Sequence, residues 1–413
     1  MDNATTVATA RTPPTTPGVW QVVREFPRPV WCLLGGMFIN RFGTFVLPFL
    51  ALYLTGERAV SPSRAALVVA MFGAGSFVAQ LTGGELADRL GRRPVMLISF
   101  LATPLAMVTL GFARDLTLIA VTTLVLGFIT DLYRPAVSAA VADLVPPEDR
   151  TRAFGYLYWA INLGFAISPV LAGLLAGRNY LYLFLGDALT TFLFGLIVLF
   201  TVQETRPAEA SHAAHATLRE RLGQLRQTPI LLFFSLLTLF FGLIYVQGYV
   251  ALPLEMTSHG LGPEQYGAAI AVNGILIVLV GIPVSNMAGK WPRYPAIAAA
   301  TFLMGLGFGL VAFANNLPFF AFTVGVWTLG EILGSAVAPT IVADLSPVEL
   351  RGLWQGVFGS MWGISFFLGP LIGGWVFEHF SPTVLWAGCF ALGCVLTVAY
   401  LALGRMAHKP KRI

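Results

Sequence analysis

The sequence predicts an all-α integral membrane protein whose twelve transmembrane helices form two pseudo-symmetric six-helix bundles. Three observations support this fold class. Of the 413 residues, 11% are charged and 56% are hydrophobic, whereas a soluble domain carries roughly 25% charged residues. The hydrophobic residues fall into runs of about 20, the length at which a helix crosses a bilayer. The second half of the chain also repeats a pattern of the first half.

The apolar runs divide the chain into five segments. We expect a cytoplasmic N-terminal tail at 1–28, an N-terminal bundle at 29–202, a cytoplasmic linker at 203–228, a C-terminal bundle at 229–404 and a cytoplasmic tail at 405–413. The linker is polar, and an amphipathic surface helix is expected within it at Leu218–Leu225. The twelve predicted spans are 29–54, 63–87, 94–112, 116–145, 151–176, 180–202, 229–255, 264–288, 294–313, 317–346, 351–377 and 382–404.

Lysine and arginine positions predict the orientation of these spans, because cytoplasmic loops collect both residue types. With both termini in the cytoplasm, the external loops hold only four basic residues, Arg58, Arg64, Arg114 and Arg178. We therefore expect a multi-pass protein of the plasma (cytoplasmic) membrane with both termini inside. The net charge of +5 is interpreted as a consequence of this topology, so no nucleic-acid partner is expected.

Other chemistry has little support in the sequence. The three cysteines lie in apolar runs, without disulfide or metal-ligand spacing. Met1–Gly18 lacks the apolar core of a signal peptide and is interpreted as a tail. No nucleophile–base set, phosphate-binding loop or ATP-binding motif is visible. The sequence therefore argues against an enzyme, and no cofactor or metal is predicted.

A repeat relates the two predicted bundles. Val141–Leu144 recurs 201 residues later as Val342–Leu345 (143 to 344). We interpret charges that occur in both halves as structural, and membrane charges that occur in one half as functional candidates. The same offset aligns further identical residues: Pro146 with Pro347, Glu148 with Glu349, Arg150 with Arg351, Gly155 with Gly356, Pro169 with Pro370 and Gly173 with Gly374.

A charged break at Gly83–Pro94 separates the second and third predicted spans. Gly91 within it permits a tight turn. Asp143 and Asp344 end the fourth and tenth spans, where each can face this break or its degenerate copy. We predict a conformational latch that holds the cytoplasmic side closed; the alternative is ordinary solvated charges at helix ends. The latch candidates are Gly84, Asp88, Arg89, Gly91, Arg92, Arg93, Asp143, Arg150, Asp344 and Arg351.

Five charges that lie away from the ends of predicted spans have uncharged repeat partners. A charge at the bilayer centre costs at least ~2.5–3.5 kcal/mol on insertion scales, so these five are the functional candidates. Asp131 and Arg134 lie three residues apart and can pair, which leaves a structural salt bridge as an alternative. For Asp187, the alternative is simple hydration near the external end of its span. The five, with their partners, are Arg41 (Gly242), Asp131 (Ile332), Arg134 (Ser335), Asp187 (Gly388) and Glu331 (Thr130).

Glu331 is the strongest candidate for proton coupling. It lies in the middle of the tenth span, and Trp327–Gly330 and Ile332–Gly334 on either side carry no basic residue. Loss of hydration favours the neutral form of a carboxyl group, so this residue can exchange a proton or bind a cationic substrate. The alternative is a protonated glutamate that only forms a hydrogen bond with a neighbouring helix.

The stretch Gly84–Arg93, with the pattern G-x-L-A-D-R-x-G-R-R, resembles the loop 2–3 signature of the major facilitator superfamily of secondary transporters. The resemblance extends over nearly the whole chain. It implies two six-helix halves around a central cavity that opens alternately to each side. Gly369–Gly374 also resembles the antiporter motif G-P-x-x-G-G, although the matching stretch of the fifth span keeps only Ser168-Pro169 and Gly173.

Within the superfamily, the chain resembles twelve-helix drug:proton antiporters of the LmrP type. Thr328–Glu331 is similar to their helix 10, whose glutamate contributes to binding cationic drugs, and Asp143 matches their helix 4 carboxylate. Tyr158–Leu163 resembles their helix 5. The resemblance implies proton-coupled efflux of small amphiphilic or cationic compounds. Together with the unrepeated charges, it gives these proton-coupling and substrate-binding candidates: Glu331, Asp131, Arg134, Arg41 and Asn162.

A proton-coupled symporter of peptides or other zwitterions is the alternative. Asn40–Phe42 resembles the E-R-F core of the peptide transporters, with Arg134 in place of their helix 4 lysine and Glu331 as their helix 10 glutamate. However, Asn40 and Met37 stand where that family carries glutamates tied to proton coupling. Either interpretation implies a small-molecule substrate, protons and the bilayer as partners, and we expect a monomer. A channel is less consistent with two halves of broken symmetry.

Overall fold

The computed structural model describes residues 26–146, 150–205, 229–288, 291–345 and 351–407, and its regular structure there is entirely helical. Twelve helices in this part are long and apolar enough to cross a membrane, which confirms the predicted fold class. The predicted tails, most of the linker and its surface helix at Leu218–Leu225 lie outside the described residues. The helices are α1 (Arg28–Phe42, continued by Val46–Leu52 and a π-helical turn at Tyr53–Glu57), α2 (Pro62–Leu90), α3 (Arg92–Phe112), α4 (Leu116–Asp131 and Tyr133–Leu144), α5 (Arg150–Arg178), α6 (Leu181–Thr201), α7 (Pro229–Val246 and Ala251–Ser258), α8 (Pro263–Ala288), α9 (Arg293–Leu310, then a 3₁₀ turn at Val311–Phe313), α10 (Leu317–Leu345), α11 (Arg351–His379) and α12 (Pro382–Ala407).

Three helices that the sequence predicted as continuous are interrupted. In α4 the interruption is at Leu132, three residues before Pro135. Proline has no N–H group, so Pro135 cannot donate to the carbonyl of Asp131, and the helix is disturbed there. The interruptions of α1 and α7 also end three residues before a proline, Pro48 and Pro253, and are stabilised by other helices.

The break in α1 is held by helices of its own half. The backbone N–H groups of Phe45 and Val46 donate to Oδ2 of Asp187 on α6, at 3.3 and 3.4 Å. The hydroxyl of Ser168 on α5 donates to the carbonyl of Thr44 at 2.9 Å. A break exposes backbone groups that a membrane cannot hydrate, so these side chains supply the missing partners.

The break in α7 is held in a similar way by α11. The Nε2 group of Gln247 donates to the carbonyls of Leu243 and Gly369, at 2.9 and 3.0 Å. Gly369 precedes Pro370, and a Cβ on Gly373 would collide with the Gln247 side chain. The Gly-Pro stretch of α11 therefore provides the close surface on which the broken part of α7 lies.

The two halves meet along α2–α11 and α5–α8. We call the side of the bundle that carries Arg28 and Ala407, the described ends of α1 and α12, the terminus side, and the opposite side the far side. Near the far side, Gly374 of α11 contacts Ala66 of α2, and the repeat-related Gly173 of α5 contacts the start of α8. Toward the terminus side, a Cβ on Gly84 would meet open space. Among the described residues, the contacts of Gly374 and Gly173 close the far side.

Candidate functional site

A cavity of about 590 Å³ lies between the halves at mid-depth. Its wall includes Arg41, Asp131, Arg134 and Glu331, so four of the five site residues predicted from the sequence share one space. The fifth, Asn162, is not among the residues that line it: its amide donates to the carbonyl of Tyr158 on its own helix at 2.8 Å.

Asp131 and Arg134 form an ion pair on the N-terminal wall. The Arg134 Nε lies 2.7 Å from Oδ1 of Asp131. The Ser76 hydroxyl of α2 donates to the other carboxylate oxygen, and Gln80 donates to that hydroxyl at 3.3 Å. Asp131 is 3% exposed, whereas half of the Arg134 side chain is exposed to the cavity. One oxygen of the buried carboxylate therefore lies in the ion pair and the other accepts a hydrogen bond, while the guanidinium remains accessible.

A hydrogen-bonded chain joins Arg41 to Asp187 on the same wall. Arg41 donates to the Tyr133 hydroxyl at 2.9 Å, which lies 3.3 Å from Oδ1 of Asn40. Asn40 donates to Thr191, and the Thr191 hydroxyl lies 3.5 Å from Asp187. The hydration proposed for Asp187 is wrong, because this carboxylate is 5% exposed and accepts the N–H groups of the α1 break.

Glu331 is held differently, by neutral donors only. The amide of Asn273 on α8 donates to Oε2 at 2.6 Å, and the Tyr245 hydroxyl of α7 donates to Oε1 at 3.2 Å. No ion pair to Glu331 is found in the described part of the chain. The carboxylate therefore faces the cavity without a cation of the protein to balance it.

Aromatic rings surround this carboxylate. The Tyr245 ring makes edge contacts with Tyr249, Trp327 and Trp362, with centroids 5.5–5.9 Å apart. Tyr249 also contacts Phe366, at 5.7 Å. The negative faces of such rings attract organic cations. This wall can therefore bind a flat or amphiphilic cation next to the acid.

Sequence reasoning missed Asn273, Tyr245 and Tyr249. It compared only charged residues between the halves, whereas the same comparison of uncharged polar residues would have found Asn273 and Tyr249. The repeat partners of the three are Phe72, Thr44 and Pro48, respectively. Tyr245 keeps the hydroxyl of its partner and differs from it by an aromatic ring.

The predicted latch residues lie at the terminus side. Arg92 at the start of α3 lies 3.4 Å from Asp143 at the end of α4, and Arg293 pairs with Asp344 at the corresponding ends of α9 and α10. Both pairs are within one half. Gly91 has φ of +108°, which fits its predicted turn.

The remaining latch candidates are described only in part. The Arg93 guanidinium donates to the carbonyl of Leu199, Gly84 faces open space, and Arg89 is exposed. The side chains of Asp88, Arg150 and Arg351 lie outside the described part of the structure. The latch function stays a prediction.

Two pseudo-symmetric six-helix halves around a mid-membrane cavity define a membrane transporter. The family model described as Major Facilitator Superfamily matches residues 33–254 and 247–413. The chain belongs to the Major Facilitator Superfamily. Its members are transporters rather than enzymes. This confirms the resemblance to the superfamily and the prediction that the chain is not an enzyme.

Relatives and solved structures place the chain among diverse transporters. It is 24% identical to a Na(+), Li(+), K(+)/H(+) antiporter of Planococcus maritimus, over 82% of this chain and 87% of the relative. It is also 24% identical to the multidrug resistance protein MdtH of Salmonella typhimurium, over 80% and 83%. A crystal structure of a POT family transporter in complex with 5-aminolevulinic acid has a TM-score of 0.78 at 16% identity, over 93% of this chain and 97% of that one. At this identity, the structural likeness concerns the fold alone.

Proposed function

We propose that the protein is a proton-coupled exporter of small amphiphilic or cationic compounds that works by alternating access. The observation that carries this proposal is the environment of Glu331. This carboxylate lies in the cavity wall among aromatic rings and has only neutral partners among the described residues. A cationic substrate and a proton can each neutralise it, and they compete because either one is sufficient.

The other membrane carboxylates are unsuited to this exchange. Asp131 is paired with Arg134, and Asp187 accepts backbone N–H groups at the α1 break. Protonation of either would disrupt contacts that hold the N-terminal half together. The multidrug and H(+) antiporter relatives are consistent with the proposal.

In the proposed cycle, both termini are cytoplasmic, so the far side, where the halves are in contact, faces outward, and the cavity opens first to the cytoplasm. A cationic substrate enters and displaces the Glu331 proton. After the halves reorient, a proton from outside displaces the substrate. For a neutral substrate, each proton that moves inward contributes ~2.3 kcal/mol per 100 mV of membrane potential. For a monovalent cation, the outward charge cancels the inward one, so the pH gradient alone drives accumulation outside.

The test is dye transport driven by a pH gradient in proteoliposomes, with Glu331→Gln beside wild type. The glutamine mimics the protonated acid, so we expect normal insertion but loss of gradient-driven efflux and of substrate-evoked proton release. Glu255→Gln is the matched control. Glu255 is also buried in the C-terminal half, but it contacts Trp386 and His259 away from the cavity, and its substitution should leave both activities. Retention of both activities by Glu331→Gln would refute the proposal.

A zwitterion symporter is the second candidate, and one observation favours it. Arg41 and Arg134 line the same cavity as Glu331, an arrangement of two cations opposite one anion. If the substrate is zwitterionic, Arg41→Gln should weaken dipeptide uptake strongly and leave transport of monovalent cationic dyes unchanged. Equal responses of dyes and dipeptides would make Arg41 a structural residue.

A further inference from the structure

The hydrogen-bond directions around Glu331 fix the carboxyl oxygen on which a proton can sit. The hydroxyl of Thr328 donates to the carbonyl of Val324 at 2.7 Å, one turn earlier in α10. Its single hydrogen is therefore used, and the hydroxyl oxygen can only accept from other partners. Asn273 lies 3.0 Å from that oxygen, so the amide must present its NH₂ group to Thr328.

The same NH₂ group of Asn273 faces Oε2 of Glu331 at 2.6 Å. If Oε2 carried the proton, its O–H group would point at an amide hydrogen of Asn273. That contact is repulsive, because an NH₂ group cannot accept a hydrogen bond. Asn273 is 2% exposed and cannot turn into solvent. The proton of a neutral Glu331 must therefore lie on Oε1, which faces the Tyr245 hydroxyl at 3.2 Å.

A tyrosine hydroxyl both donates and accepts, so it can adapt to either state of Glu331. When Glu331 is ionised, Tyr245 donates to Oε1 and can accept from Tyr249, whose hydroxyl lies 3.3 Å away. When Oε1 carries a proton, Glu331 donates to Tyr245. Tyr245 must then turn its own hydrogen to Tyr249, and the hydrogen of Tyr249 must point elsewhere.

Tyr249 lies within the break of α7, which Gln247 fastens to α11. The other titratable groups that face Glu331 are Tyr245 and, from α5, Tyr158. In the described residues that line the cavity, α9 and α11 contribute no charged side chain, and α8 contacts the acid through the neutral Asn273.

We propose that Asn273 directs the transported proton to Oε1 of Glu331, and that the hydroxyl pair Tyr245–Tyr249 relays the protonation state to the break of α7. Tyr249 donates to Tyr245 when Glu331 is ionised and accepts from it when Glu331 is protonated. The reversal reaches the break without a large movement. This inference rests on the proposed proton-carrying function of Glu331.

The test has two readouts. The first is the number of protons released per substrate bound. The second is the pH titration of the Glu331 carboxyl band, followed by difference infrared spectroscopy and assigned with Glu331→Gln. In Tyr249→Phe, we expect the carboxyl band still to titrate but proton release to fall by about tenfold. The loss of one hydrogen bond of ordinary strength changes an equilibrium constant by about this factor. In Asn273→Leu, Oε2 becomes available to the proton, so the band should split or move in frequency. Tyr245→Phe should change both readouts.

Tyr266→Phe is the matched control. The Tyr266 hydroxyl donates to the carbonyl of Gly248 in the same α7 break at 3.0 Å, but it does not contact Glu331. Its loss perturbs the break and spares the relay, so proton release should stay normal. If Tyr245→Phe and Tyr249→Phe behave like this control while Glu331→Gln loses proton release, the relay is refuted and the proposed function stands. If Glu331→Gln itself retains proton release, the proposed function fails first.

Discussion

The two walls of the cavity descend from one repeated sequence but treat their acids in opposite ways. On the N-terminal wall, Asp131 has an internal cation, and Asp187 closes a helix break. On the C-terminal wall, Glu331 has only neutral donors in the described structure. The comparison teaches that a repeat can supply one wall with acids that are paired within the protein and leave the other with an acid that has only neutral partners among the described residues.

The most direct way to remove this difference is to copy the N-terminal pair into the C-terminal wall. Ser335 is the repeat partner of Arg134, and it lies exposed in the cavity one turn after Glu331. In Ser335→Arg, an internal cation would hold Glu331 ionised. We expect substrate-evoked proton release and gradient-driven transport to fall by about tenfold or more. A cation that stabilises the ionised acid by over ~1.4 kcal/mol lowers the protonated fraction of Glu331 by that factor.

Ser335→Gln is the control for that experiment, because glutamine has a similar length and no charge. It should retain most of the transport seen in wild type. Both activities are measured in the same proteoliposomes at matched protein density. Normal coupling in Ser335→Arg would show that the lack of a cation beside Glu331 is incidental.

The second prediction concerns stability on the N-terminal wall. Arg134→Gln leaves Asp131 buried without its cation, and we expect a loss of about 1–3 kcal/mol in the free energy of unfolding, the usual cost of an unsatisfied buried group. The double variant Asp131→Asn/Arg134→Gln should recover most of it, since no charge remains buried. Thermal unfolding in detergent measures both. An unchanged Tm with weaker binding of carboxylate-bearing substrates would instead assign Arg134 to substrate binding.

The sequence predicted the helices because membrane spans have a simple physical signature of length and apolarity. It also predicted that Asp131 and Arg134 could pair, because their spacing of three on a helix settles the geometry. It did not predict the breaks of α1 and α7, although Pro48 and Pro253 follow them in the sequence. The side chains that hold these breaks, Asp187 and Gln247, reach another helix, and contacts between distant segments leave no local pattern.

The candidate site shows the same limit. The lack of a charged repeat partner indicated Glu331, and the structure places it in the cavity wall. Asn273 and Tyr245 contact it from helices 58 and 86 residues away in the chain, so their partnership could not be predicted without the fold. Asn162 was predicted from a resemblance in α5, but its amide is used by its own helix.

The third prediction compares the two far-side contacts between the halves. The Glu378 carboxylate of α11 accepts the N–H of Ser63 at the start of α2 at 2.7 Å, and the Ser63 hydroxyl lies 3.4 Å from the carbonyl of Gly374. At the related α5–α8 contact the acid is on the other partner, since Glu264 lies against Gly177. We predict that Glu378→Ala weakens far-side closure.

The measurement is the labelling rate of a cysteine placed at position 49 in a background without native cysteines. Phe49 is buried and contacts Tyr266 of the other half. Loss of one exposed contact should raise the labelling rate about threefold. His379→Ala is the control, because His379 forms its hydrogen bond with Trp375 of its own helix. Equal labelling in both variants would show that the Glu378 contact does not contribute to closure.

The smallest effect is expected at Glu204, where the halves differ by a reversal of charge. The Glu204 carboxylate accepts the N–H groups of Arg92 and Arg93 at the start of α3, at 2.9 and 3.2 Å, and its repeat partner is Arg405. An acid at a helix N-terminus stabilises by about 1 kcal/mol, so Glu204→Ala should lower Tm by roughly 1–3 °C. Arg405→Ala should leave Tm unchanged, because α9 has no side-chain cap. A larger fall in Tm from Arg405→Ala than from Glu204→Ala would mean that the C-terminal half is stabilised by contacts of Arg405 in place of the missing acid. The repeat would then be a poor guide to which terminus-side charges stabilise the fold.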